Sequence, residues 1–390
     1  MIFVREDEQQ ALHIGLNAHL LSAAAGYRSA GISWYIHNLL EHLPQVDPQV
    51  EYTIFASNWR FGDVPGLHLQ ISPLPTHRPP VRIFWEQVIQ PYALRRSRAD
   101  LCHGPAFVGA VVSACPLVVT VHDLSFLLYP EAFRALNRLY LKTFTRQSVR
   151  RAKRVIAVSS STKRDLVRYY GIAPTKVDVI YNGVDGSFQP LPAEHVDAFR
   201  EERQLPDRFI LFVGTLEPRK NVANLIQAYA QLPPDRPPLM LIGGKGWLYD
   251  EIYERIEALN LSDEIHFVGY VPLDDLPWWY NAAELFVYPS LYEGFGLPPL
   301  EAMACGTPVI TSSSSSLPEV VGQAGVLVDP NDSQMLAEAM QHVLVDTDAR
   351  TRMKAAGVER AKGFSWEQTA RHTLGSYRQA LMPVEGKQGV

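Results

Sequence analysis

Short apolar runs alternate with helix-patterned segments along most of the chain, and they do so in two series. The first reads "HIGLN", "YTIFA", "LVVTV", "RVIAV" and "VDVIYN". The second reads "RFILFVG", "PLMLIGG", "EIHFVGY", "ELFVYPS", "PVITSS" and "GVLVD". Runs of this kind, separated by helical stretches, form parallel sheets covered by helices, because parallel neighbours need a long crossover between them. In "GISWYIHNLLEHL" the residues Ile32, Tyr35, Ile36, Leu39, Leu40 and Leu43 fall on one stripe, which predicts a helix with one buried face. Between the two series lies "NGVDGSFQPLPAEH", rich in Gly and Pro, which reads as a linker. The expectation is an α/β protein of two Rossmann-like, doubly wound domains, residues 1–190 and 195–364, with a cleft between them. A chain of 390 residues is long enough for two such cores.

Composition narrows the functional classes. A net charge of −5 gives no general attraction to nucleic acid. The three cysteines, Cys102, Cys115 and Cys305, have no metal-ligand spacing, and their odd number argues against a disulfide framework. The opening "MIFVREDEQQALHIGLN" is too acidic for a signal peptide, and no run reaches the roughly 20 apolar residues that span a bilayer. The sequence therefore predicts a cytoplasmic protein, at most peripheral on the inner face of the membrane.

In open α/β sheets ligands bind beyond the carboxyl ends of the strands, and the unusual residues cluster there. "SLYEGFGLPPLEAMACGTPVI" holds Glu293 and Glu301, which would stand about 12 Å apart along the axis of one continuous helix. The glycines and the adjacent prolines instead predict a loop, then a helix starting near Pro298–Pro299 and stopping at Gly306. The start of such a helix offers free N–H groups and a positive dipole end, a seat for phosphate. Carboxylates repel phosphate, so the two glutamates should grip another part of the same ligand, with sugar hydroxyls the candidate. In "FVGTLEPRKNVANLIQAYAQL" Arg219 and Lys220 precede a helix, at the dipole end that cations normally avoid. An anion between them would reconcile the two, and a solvated turn is the alternative. His122 and Asp123 follow the strand "LVVTV" directly, either as a buried hydrogen-bonded pair or as site residues.

Other signatures fail. "GFGLPP" has Pro299 where a dinucleotide fingerprint has its third glycine, and "GYRSAGIS" lacks the Lys-Ser/Thr of a phosphate-binding loop. Asp346-Thr347-Asp348 follows a helical pattern and reads as a turn and helix cap rather than a metal site. "SSSSS" at Ser312 to Ser316 reads as a short loop.

Taken together, these stretches resemble the family 4 retaining glycosyltransferases of the GT-B fold, closest to bacterial O-antigen and exopolysaccharide mannosyltransferase-like members. The resemblance rests on "GYRSAGISWYIHNLL", "VTVHDLSFLLYPE", "AVSSSTKRDLVRYYG", "LFVGTLEPRKNVANLIQAY", "LMLIGGKG" and the stretch from "DLPWWYNAAELFVYPS" to "GTPVI". It implies a metal-independent enzyme without cofactor. Such an enzyme moves a hexose from a nucleotide diphosphate sugar to a glycan or lipid-linked glycan, with GDP-mannose the first choice of donor and UDP-glucose the second. It also implies residue roles. Arg219 and Lys220 match the pair that holds the diphosphate, Glu293 the carboxylate beside the donor sugar, and Glu301 the one that binds the ribose. The backbone of Phe295, Gly296 and Leu297 would contact sugar and phosphates, and His122 would face the transferred sugar. Gly31 matches a glycine loop near the diphosphate, and Val271 borders the base. Thr215 stands where many relatives carry Arg, which removes one diphosphate contact. The rival readings are a GT-B phosphorylase or epimerase and a non-catalytic sugar-nucleotide-binding protein.

From Ala132 to Arg154 there are eight basic residues and no acidic one. Arg134, Arg138, Lys142, Arg146 and Arg150 recur every four residues, with Leu136, Leu139, Tyr140 and Phe144 between them. Upstream, "RPPVRIFWEQVIQPYALRRSR" adds five arginines with Phe84, Trp85 and Tyr92. Two readings stand: contact with an anionic membrane or lipid-linked acceptor, and a solvated face with ordinary packing. The helix at about 365–385 is implied to pack back on the first domain, and the tail "MPVEGKQGV" reads as disordered.

Overall fold

The computed structural model describes residues 11–21, 30–57, 64–113, 115–244 and 250–383. The tail beyond residue 383, and Gly26 to Ser29 of the "GYRSAGIS" motif, lie outside the described residues.

Two all-parallel sheets form. The first contains β1 (His13–Asn17), β2 (Glu51–Ala56), β3 (Leu67–Ile71), β4 (Leu101–Gly104), β5 (Leu117–Val121), β6 (Arg154–Ala157) and β7 (Val177–Val179), in the order 3-2-1-4-5-6-7. The second contains β8 (Ile210–Val213), β9 (Leu239–Ile242), β10 (Ile265–Gly269), β11 (Leu285–Tyr288), β12 (Val309–Ser312) and β13 (Val326–Val328), in the order 10-9-8-11-12-13. Each order reverses at one place, between β1 and β4 and between β8 and β11. That switch point opens a crevice beyond the strand ends.

The apolar runs occupy the sheet centres. β5, β8, β9, β11 and β12 are buried along their whole length, as strands covered on both faces must be. Two strands escaped the sequence reading. β3, "LHLQI", is an edge strand with four exposed residues, so its polar positions mask it. β4, "LCHG", is buried but only four residues long and ends in His-Gly, too short to show a pattern.

The helix Ala30–Val46 buries Tyr35, Ile36, Leu39, Leu40 and Leu43. The last helix, Trp366–Leu381, inserts Trp366, Ala370, Leu374, Tyr377 and Ala380 into the same core, although it follows the second sheet in the chain. The chain therefore crosses between domains twice, and the crossings touch: Val184 N–H donates to the Phe364 carbonyl at 3.1 Å. A Cβ on Gly183 would stand 2.2 Å from the Trp366 nitrogen, so only glycine lets the two strands of the hinge approach. Among the described residues no helix is long and apolar enough to cross a membrane.

Asp346 caps the helix Thr347–Ala361, accepting from Ala349 N–H at 2.8 Å, the role its spacing predicts. The basic helix spans Ala135–Arg151, and its faces are not those of a simple amphipathic pattern. Tyr140 is buried and Phe144 packs on the core, while Leu136 and Leu139 are exposed. Upstream, Trp85 is buried and Phe84 and Tyr92 are exposed.

Because Trp366 is the anchor of a helix borrowed by the first core, Trp366→Ala should destabilise the protein by about 3–5 kcal/mol in denaturant unfolding. A loss below about 1 kcal/mol would mean that this helix merely lies on the surface.

Candidate functional site

The second switch point gathers the charged residues. After β8 the chain runs through Gly214 and Thr215 into a turn over Pro218–Lys220, then into the helix Val222–Tyr229. After β11 it runs through Pro289 to Phe295 into the helix Leu297–Ala304. Arg219 Nη1 donates to the Tyr292 carbonyl at 2.6 Å and to Glu293 Oε2 at 3.1 Å, and Nη2 donates to Glu217 Oε1 at 2.6 Å. Lys220 Nζ donates to Glu293 Oε1 at 2.6 Å and to the Tyr288 hydroxyl at 2.5 Å. Ser290 Oγ and Tyr288 Oη donate to the same carboxylate oxygen at 2.6 and 3.0 Å.

Glu293 is thus the hub of the cluster. Burial alone would raise its pKa, but Lys220 and Arg219 outweigh burial and hold the carboxyl at about 2. Burial likewise works against the charge on Arg219, and Glu293 with Glu217 overcomes it, so that its pKa rises. For Lys220 burial outweighs the attraction of Glu293, and its pKa is lowered. Two cations and two carboxylates leave the cluster neutral. Guanidinium carries five donors and ammonium three. Three of the first and two of the second are used, so among the described residues Arg219 keeps two N–H groups and Lys220 one without an acceptor.

The serine run proves to be more than a loop. Ser312 and Ser314 reach the Ser290 carbonyl, Ser314 also that of Leu291, and Ser316 those of Glu293 and Phe295, each hydroxyl donating its one proton to one of them at a time. Ser315 Oγ accepts from Glu293 N–H at 2.9 Å. Small hydroxyls here satisfy the backbone of a buried loop that has no strand partner. The signal was present in the sequence, since serines that directly follow an apolar strand can serve a neighbouring loop.

Glu301 lies on the helix Leu297–Ala304 and is 7% exposed. It accepts from the Tyr280 hydroxyl at 2.9 Å. Burial is the main influence, and its pKa rises to about 7. Gly296 starts that helix at φ 110°, a left-handed value suited to glycine, and no side chain caps the terminus. Pro298 and Pro299 have no N–H and Leu300 N–H donates to the Gly296 carbonyl at 3.4 Å, so in the first turn Leu297 N–H is the one left without a side-chain acceptor among the described residues.

His122 comes from the other domain, at the end of β5. Its Nε2 lies 2.8 Å from the Pro105 carbonyl, which can only accept, so Nε2 carries the proton. Burial lowers its pKa, leaving a neutral ring with Nδ1 as acceptor. The Tyr35 ring packs edge-on against it at 4.8 Å. A Cβ on Gly294 would stand 2.0 Å from the His122 carbonyl oxygen, so the loop of Glu293 presses directly on that of His122. The loops of His122 and of the Arg219–Lys220–Glu293 cluster are brought together in this way, with Phe295 and Gly296 leading from Glu293 into the helix that Leu297 starts. Gly31 sits exposed at the start of the helix Ala30–Val46, one turn before Tyr35. Val271 follows the edge strand β10, partly buried against the core. Neither is hydrogen-bonded to the charged cluster among the described residues.

Glycosyltransferase Family 4 matches residues 29–188, and Glycosyl transferases group 1 matches residues 195–360. The O-antigen chain mannosyltransferase B of Escherichia coli is 36% identical over 293 residues, 74% of this chain and 77% of that protein. A serotype-specific mannosyltransferase, WbdA, of the same organism is 34% identical over 277 residues, 68% of this chain but 33% of its own length. Among solved structures, a sucrose-phosphate synthase from Thermosynechococcus elongatus superimposes with a TM-score of 0.76 at 25% identity, covering 94% of this chain and 98% of that one.

The two glutamates generate a pH test. A carboxyl raised from 4.5 to about 7 on folding makes the native state bind more protons, so stability falls as pH rises between those values and is level above. Glu301→Gln keeps an acceptor for Tyr280 and removes the titration. Its melting temperature should therefore gain on that of the wild type from about pH 5 to about pH 8; a constant difference would refute the raised pKa. Sequence match, paired parallel sheets and the cluster in the cleft agree, and the chain belongs to the family 4 glycosyltransferases of the GT-B fold.

Proposed function

We propose that the protein is a retaining, metal-independent hexosyltransferase of polysaccharide biosynthesis, with GDP-mannose the first donor to test and UDP-glucose the second. The observation that carries this reading is the buried Arg219–Lys220 pair at the switch point, with N–H groups left over for an anion. Two bound phosphoryl groups would take those donors. Glu301 would accept from the ribose hydroxyls, and Glu293 would face the donor sugar while holding both cations in place. The backbone of Phe295, Gly296 and Leu297 would meet sugar and phosphates, Thr215 would lie beside the diphosphate, and Val271 would border the base. His122 Nδ1 would accept from a hydroxyl of the transferred hexose, near Gly31.

The chemistry then needs little else. The acceptor oxygen bonds to the anomeric carbon as the bond from that carbon to the phosphate oxygen breaks. The acceptor proton passes to the departing phosphate on the same face, which retains configuration. Negative charge grows on the diphosphate, and fixed cations in a site shielded from water stabilise it without reorganising. The names of the mannosyltransferase relatives support mannose and an O-antigen-like glycan as acceptor.

The acceptor is proposed to be lipid-linked and met at an anionic membrane surface. Arg138, Lys142, Arg146 and Arg150 are exposed on the helix Ala135–Arg151, beside Leu136 at 84% and Leu139 at 61% exposure. A neighbouring helical segment, joined to it by the Tyr140 hydroxyl donating to Glu86 at 2.6 Å, exposes Phe84, Val88 and Tyr92. Basic residues near an anionic surface contribute about 1 kcal/mol each.

Thermal unfolding against GDP-, UDP- and ADP-sugars tests the donor. A ligand at 100 times its Kd should stabilise the wild type by about 2.7 kcal/mol, and Lys220→Ala should abolish the shift. A shift that survives in the variant would put the diphosphate elsewhere. Transfer activity should withstand EDTA; its loss, restored by a divalent cation, would overturn metal independence. Finally, the protein should sediment with phosphatidylglycerol vesicles and not with phosphatidylcholine vesicles. Arg138→Glu combined with Arg146→Glu should release it, and equal binding to both lipids would refute the electrostatic contact.

A further inference from the structure

The helix Ser160–Tyr170 belongs to the first domain, yet both domains hold it. At its start, Ser160 and Ser161 N–H groups donate to the two carboxylate oxygens of Glu319, each at 2.7 Å. Glu319 lies in the second domain, and a negative charge at a helix N-terminus is favourable there. At the next residue, Thr162 Oγ1 donates to the His122 carbonyl at 3.1 Å and reaches the Gly294 carbonyl at 3.3 Å. On the next turn the Tyr292 hydroxyl donates to Asp165 Oδ2 at 2.7 Å.

The same hydroxyl accepts from Leu124 N–H at 3.1 Å. Tyr292 adjoins Glu293 in the chain, and its carbonyl accepts from Arg219 at 2.6 Å. Leu124 lies two residues beyond His122. One phenol oxygen thus joins the helix, the His122 loop and the loop of the charged cluster, and it does so from a side chain only 7% exposed. The Tyr129 ring packs beside it with centroids 5.9 Å apart.

Resting on the site reading above, we propose that Tyr292 is a positioning residue, whose hydroxyl sets the Arg219–Lys220–Glu293 cluster in register with His122 across the cleft. Removing the oxygen takes a partner from the half-buried Asp165 carboxylate and from the buried Leu124 N–H while the cleft is closed. An open cleft lets water reach both. Loss of the hydroxyl therefore shifts the equilibrium toward opening and leaves each half of the site intact.

The test compares Tyr292→Phe, Asp165→Ala and Asp165→Asn with Tyr288→Phe, whose hydroxyl serves the cluster from within one domain. GDP affinity is measured by calorimetry and GDP release from GDP-mannose by a coupled assay. Tyr292→Phe and Asp165→Ala should keep GDP affinity within about twofold and lose roughly tenfold or more in turnover, since small misplacements are costly to catalysis. Their effects should not add, and Asp165→Asn, which still accepts, should recover most of the rate. Tyr288→Phe should lose GDP affinity as well. Unchanged turnover in Tyr292→Phe, or a parallel loss of GDP affinity, would overturn the proposal.

A second readout does not depend on the donor. Nitroxide labels at Asn137→Cys and Lys354→Cys, with Cys115 replaced by Ser, should report a narrow interdomain distance that broadens in Tyr292→Phe. Broadening in a protein that consumes no sugar nucleotide would uphold the positioning role and overturn the donor reading. An unchanged distribution would overturn the role itself.

Discussion

The site depends on one buried carboxylate held between two cations. Charges as buried as those of Arg219, Lys220 and Glu293 are costly to remove from water unless each is paired and fully hydrogen-bonded. The cluster meets that condition closely: Glu293 receives N–H or O–H donors from Arg219, Lys220, Tyr288 and Ser290. Such an arrangement is weak evidence for stability, because an apolar core of equal volume would do as well. What it secures is geometry. Two cations that would otherwise repel each other stand side by side, already aimed, before any ligand arrives.

The rest of the second domain follows from keeping that geometry. The cations come from the crossover after β8 and the carboxylate from the crossover after β11, the strands that flank the switch point. Only there do the crossovers from two neighbouring strands of this sheet leave in opposite directions and open a gap between their helices. Tyr288 stands at the end of β11, stacked between Phe212 and Phe286, so its hydroxyl cannot wander. The serines after β12 close the remaining side by satisfying the backbone of the Glu293 loop.

The sheet architecture was legible because parallel strands are buried on both faces and read as unbroken Val, Ile, Leu and Phe. β3 and β4 were not, since an exposed edge strand carries polar residues and a four-residue strand has no period to detect. Arg219, Lys220, Glu293 and Glu301 could be picked out as charged residues at strand ends. Their mutual contacts could not, because they rest on the sheet order, which no local pattern encodes. Tyr288, Tyr280 and Tyr292 were hidden for a related reason. A buried aromatic residue, whether at a strand end like Tyr288, in a helix like Tyr280 or in a loop like Tyr292, looks like core until the partner of its hydroxyl is known, and that partner for Tyr292 lies 127 residues away. On the basic helix, charge spacing pointed to the exposed face correctly, but the apolar residues divide between core and solvent according to a neighbouring helix that the pattern does not mention.

Glu293 and Glu301 stand eight positions apart, on one loop and its helix, and their proton affinities are pushed in opposite directions. Neither is exposed, so burial raises both. The difference is the company. Glu293 has two cations within 3.1 Å, while Glu301 has a phenol and apolar packing. A carboxylate at about 2 stays an anion under all working conditions and suits a permanent counter-charge. One near 7 is a weak anion whose charge is stabilised further by any hydroxyl that donates to it. A diol at Glu301 would therefore strengthen its own acceptor as it bound, while the same diol at Glu293 would have to compete with bonds already made.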